Sequence, residues 1–219
     1  MGSRRDNRDR IEAQIVELGR AQLASVGAAG LSVRAVARDL GMVSSAIYRY
    51  VPSRDDLLTL LLVHEYNALA DAVDRAREDA DDWRGQLRAM ARAARQWAVS
   101  WPASWALLYG SPVPGYLAPA EATVAPGTRV VGAMLRVVSA AGCSSKIVVL
   151  QQVTGDFARL RAEFDVDGDD AAIAACFTLW AGLVGAISLE VFGQYGADTL
   201  TEPAAVFDLQ IGALVSLLS

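Results

Sequence analysis

The stretch Leu31–Leu58, LSVRAVARDLGMVSSAIYRYVPSRDDLL, constrains the fold of this chain more than any other segment. Its first part has apolar residues at the i, i+3, i+4, i+7 spacing of one helix face, namely Val33, Val36, Ala37 and Leu40. Gly41 follows, and glycine most easily takes the positive φ that a sharp turn needs. A second short helix is predicted over residues 44–51. Two short helices joined by such a turn form a helix-turn-helix.

The end of this motif is also marked in the sequence. Pro52 stops the second helix because it lacks the N–H group that would continue the helical ladder. Ser53, with Asp56 three residues later, predicts a capping box that opens a further helix at Arg54. The apolar stripe of that helix extends to about residue 79, so a long helix follows the motif.

Three features of this region resemble the DNA-binding domain of the TetR family of bacterial transcription regulators. They are the segment VRAVARDLG, the position of Tyr48 seven residues after Gly41, and the segment YRYVPSRDDLL. The resemblance runs from Ile11 to about Leu62 without a gap. It implies a three-helix DNA-binding domain over residues 1–56. The chain departs from the family at Val43, where a small hydroxyl residue usually caps the recognition helix, and Ser44 is the expected substitute one position later.

The resemblance also implies which side chains contact DNA, because the second helix of such a motif enters the major groove. Tyr48 is expected to donate its hydroxyl to a phosphate, as the matching residue does in the family. Tyr50 and Arg54 are expected to hold the DNA backbone, which positions the protein without reading sequence. The side chains placed to reach base edges are Arg34, Ser44, Ser45 and Arg49. The alternative for Tyr48 is a plain role in the core.

The charge distribution is compatible with DNA binding although the formal net charge is −5. Residues 1–56 hold nine Arg against seven Asp or Glu, whereas the remainder holds eleven Lys or Arg against eighteen Asp or Glu. Affinity for DNA depends on the field at the contacting face and not on the molecular total. The sequence therefore predicts a small basic DNA-binding domain on an acidic body, with weak, salt-sensitive non-specific binding.

Residues 57–219 are predicted to form a larger helical domain, which makes the fold class all-α. Helical patterns cover residues 82–101, 103–109, 128–140, 145–164, 171–189 and 203–218. SWPASWALLYGSPVPGY and LWAGLVGAISLEVFGQY resemble segments of the ligand-binding domain of a TetR subfamily with a Trp-His-Gly signature. Trp180 and Gly185 match that signature, and Val184 stands at the position of the His. This resemblance implies a ligand-sensing body that dimerises through its last two helices.

Two groups of residues in the body are candidate binding sites. A group of aromatic side chains predicts a mostly apolar ligand pocket, with the Pro/Gly loop Ser111–Pro119 as one wall. The aromatic residues are Trp97, Trp101, Trp105, Tyr109, Tyr116, Phe157 and Trp180. Aromatic residues at helical spacing also occur as plain core, and that alternative stays open. Apolar and small residues of the last two helices predict the dimer interface; they are Trp180, Gly182, Gly185, Leu189, Val206 and Leu214.

Nothing in the sequence indicates an enzyme, a cofactor or a metal site. His64 is the single His, and no G-x-S-x-G, Gly-rich phosphate loop or dinucleotide fingerprint occurs. Cys143 and Cys176 form no C-x-x-C pair, so neither a zinc site nor a redox dithiol is predicted. The DVDGDD run from Asp165 lacks the Gly and Glu positions of a calcium loop.

Residues 171–189 include no charged side chain, and this uncharged run is long enough to span a membrane. Acidic flanks, the lack of a Lys/Arg cluster and many small residues argue against it. No secretion signal is recognised, so a cytoplasmic protein is predicted. A membrane-attached adaptor is the weakest alternative.

The sequence therefore predicts a homodimeric transcription regulator that binds a near-palindromic operator in double-stranded DNA. The resemblance further implies a repressor that a small, largely apolar effector releases. The alternative is a dimeric DNA-binding regulator without a small-molecule inducer, whose body serves dimerisation or protein contact. The identity of the effector and the operator sequence lie beyond these patterns.

Overall fold

The computed structural model describes residues 2–78, 80–196 and 198–219. It confirms an all-α fold, with a helix-turn-helix near the N-terminus and a helical remainder. The helices are α1 Gly2–Val26, α2 Val33–Asp39, α3 Ser44–Ile47, α4 Arg54–Glu78, α5 Trp83–Ser100, α6 Pro102–Tyr109, α7 Ala120–Gly127, α8 Arg129–Ala140, α9 Thr154–Phe164, α10 Asp170–Val191 and α11 Pro203–Val215. The described ranges contain no β-strand, and Ser145 and Leu218 form an isolated bridge.

The chain forms two compact units. The first comprises Met1–Ala68 and Trp101–Gly127, and the second comprises Leu69–Ser100 and Thr128–Ser219. Helix α4 contributes to both units, since it runs from Arg54 to Glu78. The sequence predicts a domain boundary after residue 56, where the helix-turn-helix ends. That domain boundary stays a prediction.

The core of the first unit forms where α1, α2, α3 and the start of α4 bury their apolar faces together. Helix α6 packs on α1 within the same unit. The buried side chains are Ile15, Val16, Leu23, Leu31, Val33, Val36, Ala37, Ile47, Val51, Leu57, Leu58 and Leu61. Their spacing on α1, α2 and α4 is the helical periodicity seen in the sequence, so burial of one stripe per helix accounts for this core.

The second unit is built around α8 and α10. Most apolar residues of α8 are buried, and α10 packs against α5, α8, α9 and α11. Helices α10 and α11 cross closely at Gly182, where an added Cβ would lie 2.4 Å from Cδ1 of Leu214. Asp82 and Asp169 cap the beginnings of α5 and α10, since their carboxylates accept hydrogen bonds from the N–H groups of Gly85 and Ala172.

Two ion pairs tie α5 to the last two helices. Arg92 binds Asp208 of α11 through Nε and Nη2, at 2.8 and 3.0 Å. Arg95 binds Glu190 of α10 in the same two-point manner, with Nε 2.7 Å from Oε2. The sequence suggests a solvated basic face for these arginines. The exposed side chain of Arg92 agrees with that interpretation, whereas Arg95, which is 20% exposed and paired with Glu190, does not.

The predicted helix over residues 145–164 is wrong in its first part. Residues 144–150 have no regular secondary structure, and a short 3-10 turn at Gln151–Val153 precedes α9. The run KIVVL is rich in β-branched residues, which favour extended backbone over helix. Helix α7, Ala120–Gly127, is absent from the predicted elements.

Among the described residues, α10 is long and apolar enough to cross a membrane by length and composition. Its most apolar window is 44% buried inside the protein. The core helix of a soluble protein meets the same criterion, so the length of α10 alone is weak support for a membrane span.

Candidate nucleic-acid interface

The helix-turn-helix is held by capping and by burial of one side chain from each helix. The Ser32 hydroxyl accepts a hydrogen bond from the Ala35 N–H at the start of α2, at 3.4 Å. Gly41 has φ 68°, the left-handed conformation that glycine tolerates without strain. Ala37 and Ile47 are fully buried where α2 packs on α3. The predicted turn and the close helix crossing are both confirmed.

The recognition helix is shorter than the sequence predicts. It ends at Ile47, and residues 48–50 form a turn in which the Tyr50 and Val51 N–H groups donate to the Ile47 carbonyl. Pro52 therefore lies beyond the end of the helix and does not determine it. The substitute cap at Ser44 is also absent: Val43 occupies the N-cap position, extended and without a side-chain cap, and Ser44 is the first helical residue.

Five of the predicted DNA-contacting residues lie at the surface of the first unit. Four of them have exposed side chains: Arg34, Ser44, Ser45 and Arg49. Tyr48 is 39% exposed, so its ring is partly covered and its remaining surface faces solvent. This exposure is compatible with hydroxyl donation to a phosphate. The contacts of these five residues with DNA stay predictions.

Tyr50 and Arg54 are occupied within the protein. The Tyr50 ring packs at the edge of the core, with the Arg8 guanidinium 5.8 Å from its centroid. Nη2 of Arg54 donates to the carbonyls of Ala28 and Ala29, at 2.9 and 3.2 Å. Arg54 thereby holds the loop that precedes α2, a role that the sequence does not reveal. Contact of Tyr50 and Arg54 with phosphates stays a prediction.

A buried charge on α4 is the main feature of this unit that the sequence analysis misses. Glu65 is fully buried, and Nε of Arg20 on α1 lies 2.8 Å from its Oε1. The Arg20 guanidinium also lies over the Trp101 ring, 4.0 Å from its centroid. Burial raises the pKa of the Glu65 carboxyl, and the charge of Arg20 opposes that rise. The sequence does carry a signal of this burial, because helical spacing places Glu65 on the same face of α4 as Leu58, Leu61 and Leu69.

The predicted pocket residues divide between the two compact units. In the first, Trp105 is buried and its ring centroid lies 4.4 Å from that of Tyr109, which in turn lies 6.3 Å from that of Tyr66. Burial raises the pKa of the Tyr109 hydroxyl. The Tyr116 hydroxyl hydrogen-bonds the Thr59 hydroxyl at 2.9 Å. These contacts are those of a packed core, and ligand binding at this group stays a prediction.

The remaining pocket residues belong to the second unit. Trp97 is buried on α5, and Trp180 is half-buried on α10. The Phe157 ring lies 6.5 Å from that of Phe177.

The predicted interface residues lie on α10 and α11 of the second unit. Gly182 and Leu214 face each other in the crossing of these helices, whereas no atom lies within 4 Å of a Cβ added to Gly185. Leu189 is 38% exposed and Val206 is half-buried. The outer faces of the two helices carry apolar side chains that one chain leaves uncovered, Leu189, Phe192, Leu209 and Leu217.

A metal site needs several ligating side chains close together. The described residues include no group of three or more His, Cys, Asp or Glu side chains placed to hold an ion. Cys143 and Cys176 are free and buried. Burial raises the pKa of both thiols, for Cys176 to about 12, which disfavours the reactive thiolate.

Comparison with known proteins agrees with this arrangement. Residues 15–61 match the model of the bacterial regulatory proteins of the tetR family, and residues 87–214 match a tetracyclin repressor-like C-terminal domain. Assignment to the Trp-His-Gly subfamily stays a prediction. The HTH-type transcriptional regulator Rv1816 of Mycobacterium tuberculosis is 59% identical over 226 aligned positions, which cover 100% of this chain and 97% of that protein.

Two further proteins are similar over different extents. The HTH-type transcriptional repressor DrrR1 of Streptomyces coeruleorubidus is 38% identical over 89 residues, 38% of this chain and 28% of that one. The crystal structure of the regulatory protein SCO4313 superimposes with a TM-score of 0.78 at 28% identity, over 97% of this chain and 98% of that one. The matched family consists of DNA-binding proteins and not of enzymes. This chain belongs to the TetR family of transcriptional regulators.

Proposed function

We propose that this regulator is a repressor that binds a near-palindromic operator as a homodimer and leaves it when a small, largely apolar molecule binds the body. The observation that carries the DNA-binding part is the exposure of Arg34, Ser44, Ser45 and Arg49 on an ordered helix-turn-helix. Repression is supported by the printed name of the relative DrrR1, a transcriptional repressor that is similar over part of the chain.

The proposed readout divides the interface into two classes of contact. Arg49 and Arg34 would donate to base edges, so each would discriminate at one base pair by about 1–3 kcal/mol. The Tyr48 hydroxyl would donate to a phosphate, so it would strengthen binding to all sequences alike. Because α3 has only four residues, Arg49 approaches the groove from the turn after the helix and not from the helix itself.

Selection of binding sites from random duplexes tests this assignment. Wild type, Arg34→Ala, Arg49→Ala and Tyr48→Phe are compared, with Arg88→Ala as control because Arg88 is exposed on α5, remote in sequence from the motif. We expect each of the first two variants to relax the preference at one base position, and Tyr48→Phe to weaken every site equally. A changed preference in Tyr48→Phe, with none in either Arg variant, would contradict the assignment.

Dimerisation is proposed from the outer faces of α10 and α11. Gly185 and Leu189 on α10, with Leu209 on α11, leave a stripe of small and apolar surface facing solvent. A second copy would cover that stripe and set two recognition helices about one helical turn of DNA, roughly 34 Å, apart. Burial of this stripe in a dimer would explain why α10 is long and apolar without its crossing a membrane. We therefore propose that the protein is cytoplasmic.

Sedimentation of wild type and Gly185→Glu tests the interface. Gly185 has open space around it within one chain, so a carboxylate there leaves the protomer fold intact but would be buried unpaired at a close dimer crossing. We expect a wild-type dimer at micromolar concentration and a folded, monomeric variant. A monomeric wild type, or a variant that dimerises equally well, would contradict the proposed interface.

The effector proposal rests on the aromatic residues around Trp105. Tyr66, Trp105 and Tyr109 supply apolar and aromatic surface, and Tyr66 and Tyr109 supply hydroxyl groups. An effector releases DNA only if it binds the non-DNA-binding arrangement more tightly, by about 1–3 kcal/mol for typical coupling. A thermal-shift screen followed by operator titration identifies such a compound. If Trp105→Ala kept both the affinity of the compound and its effect on DNA, the effector would bind elsewhere in the chain.

A further inference from the structure

The second unit has a groove between α5 and the N-terminal half of α11. Its volume is about 400 Å³, within the range of small-molecule sites. One wall carries the guanidinium groups of Arg92 and Arg95, one turn apart on α5. The apolar residues of the lining include Val99, which is 48% exposed, and Phe207, which is largely buried. The groove therefore combines guanidinium groups with apolar surface.

The two arginines are anchored yet keep donor groups that the ion pairs do not use. Each engages its carboxylate through Nε and Nη2, so Nη1 of each guanidinium takes no part in either two-point contact. Guanidinium donors fixed in this way are well suited to bind a carboxylate with charge-assisted hydrogen bonds. The groove thus holds oriented donors that a ligand can use without ordering them first.

The two ion pairs differ in how readily a ligand could enter them. The side chains of Arg95 and Glu190 are 20% and 18% exposed, so this pair is largely withdrawn from water. Those of Arg92 and Asp208 are 60% and 42% exposed, and an exposed pair contributes little to stability. An incoming anion can therefore replace Asp208 at Arg92 while Arg95 stays anchored by Glu190.

The balance of charge also restricts the ligand. Arg92 is paired with Asp208 and Arg95 with Glu190, so the two cations and the two carboxylates already cancel. A bound monoanion is compensated at Arg92 only when Asp208 turns out to solvent, whereas a doubly charged phosphate would leave a larger uncompensated charge. The apolar wall at Val99 and Phe207 favours a ligand with a hydrocarbon part.

We infer that this groove binds a small amphipathic monocarboxylate, with its carboxylate on Arg92 and Arg95 and its hydrocarbon part against Phe207 and Val99. Binding displaces Asp208 from Arg92 and so removes one of the two ion pairs that tie α5 to the last two helices. The groove belongs to the second unit, whereas the aromatic group around Trp105 belongs to the first, and the inference does not depend on operator binding or repression.

Isothermal titration of the full chain with octanoate tests the inference, with octan-1-ol as the uncharged probe of the same chain length. We expect octanoate to bind wild type and octan-1-ol to bind at least about tenfold more weakly, because the alcohol cannot form the charge-assisted contacts. Equal affinity for the two probes would overturn the inference, since the binding would then rest on the hydrocarbon chain alone.

Three variants separate the groove from other surfaces. Arg92→Gln should weaken octanoate binding by about tenfold or more, whereas Arg88→Gln, one turn earlier on α5 and outside the groove, should leave it unchanged. Asp208→Asn removes the competing carboxylate and should tighten binding by about two- to fivefold. Both groove positions are exposed, so these variants fold. Unchanged affinity in Arg92→Gln, or weaker binding in Asp208→Asn, would overturn the inference.

Discussion

At the scale of single residues, the pairing of Arg20 with Glu65 neutralises a buried charge and should therefore matter for stability. The Glu65 side chain is fully buried, and the Arg20 side chain is 24% exposed. The carboxylate is therefore shielded from water, and the guanidinium is mostly shielded. The charge of Arg20 is the largest influence that opposes the burial of the carboxylate, and hydrogen bonds with Ser104 and Arg20 act in the same direction. The ion pair is therefore the main compensation for burying the carboxylate.

Removal of the cation should be costly for that reason. We expect Arg20→Met to lower the free energy of unfolding by about 3 kcal/mol, because an unpaired buried charge remains. Arg20→Met combined with Glu65→Leu should recover most of that loss, since both charges are then gone. Urea denaturation followed by circular dichroism measures the three values. A double variant no more stable than Arg20→Met would show that packing of Arg20 on Trp101, and not the charge, stabilises the unit.

The pH dependence of stability offers a separate check on Glu65. Its folded-state pKa lies above the ordinary value of 4.5, so between these two pKa values the folded chain binds more protons than the unfolded chain. Stability contributed by this group is therefore lost as the pH rises from 4.5 through the raised pKa. The unfolding free energy of wild type minus that of Glu65→Gln should fall over this window. A difference that is flat or rises with pH would contradict the assigned environment.

The sequence predicts the stripe on which Glu65 lies but not its partner. Leu58, Leu61 and Leu69 place position 65 on the buried face of α4 by helical spacing alone. Nothing local identifies Arg20, because the pairing depends on how α1 packs against α4. The same limit applies to Arg54, whose bonds to the loop before α2 follow from tertiary structure.

At the scale of helices, periodicity and capping residues predict the long elements well. The beginning of α4 agrees with the sequence because the Ser53 hydroxyl accepts a hydrogen bond from the Asp56 N–H within the first turn. Helices α10 and α11 begin at Asp170 and Pro203, within one residue of the predicted starts. The short elements depend on tertiary contacts. Helix α3 ends early at Ile47. The segment before α9 begins as an extended pairing with the C-terminus, where Ser144 and Ser219 exchange two backbone hydrogen bonds.

The crossing of α10 and α11 gives a prediction at this scale. A Cβ at Gly182 would overlap the Leu214 side chain at 2.4 Å, whereas Gly212 on α11 has no such neighbour within 4 Å. Gly212→Ala should gain the helix propensity of alanine, about 1 kcal/mol, and Gly182→Ala should lose that gain to overpacking. We therefore expect Gly212→Ala to be the more stable by about 1 kcal/mol in chemical denaturation. Equal stability of the two variants would show that Leu214 moves away at no cost.

At the scale of the whole molecule, the family and the all-α fold follow from the sequence, whereas the sites follow only in part. The helix-turn-helix is local, so its turn at Gly41 and its exposed face can be predicted from one short stretch. The aromatic residues cannot be placed in this way, because Trp101 and Trp105 belong to one compact unit and Trp97 to the other. Which of them share a pocket depends on folding of the chain between them.

The proposed function requires that two protomers read one operator. Each recognition helix is only four residues long, so a single copy offers few base contacts. The outer faces of α10 and α11 carry the exposed apolar residues Leu189 and Leu209, which a second copy would cover. Specific DNA binding should therefore depend on dimerisation, and a monomeric variant should lose most of its preference for the operator.

Titration of the selected operator by fluorescence anisotropy, at fixed physiological salt, tests this central claim most directly. Wild type should bind the full site as two protomers, at least about a thousandfold more tightly than a scrambled duplex. The folded monomeric variant Gly185→Glu should approach the affinity of wild type for the scrambled duplex. Equal affinity of wild type for both duplexes, or binding of one protomer per full site at full strength, would contradict the account.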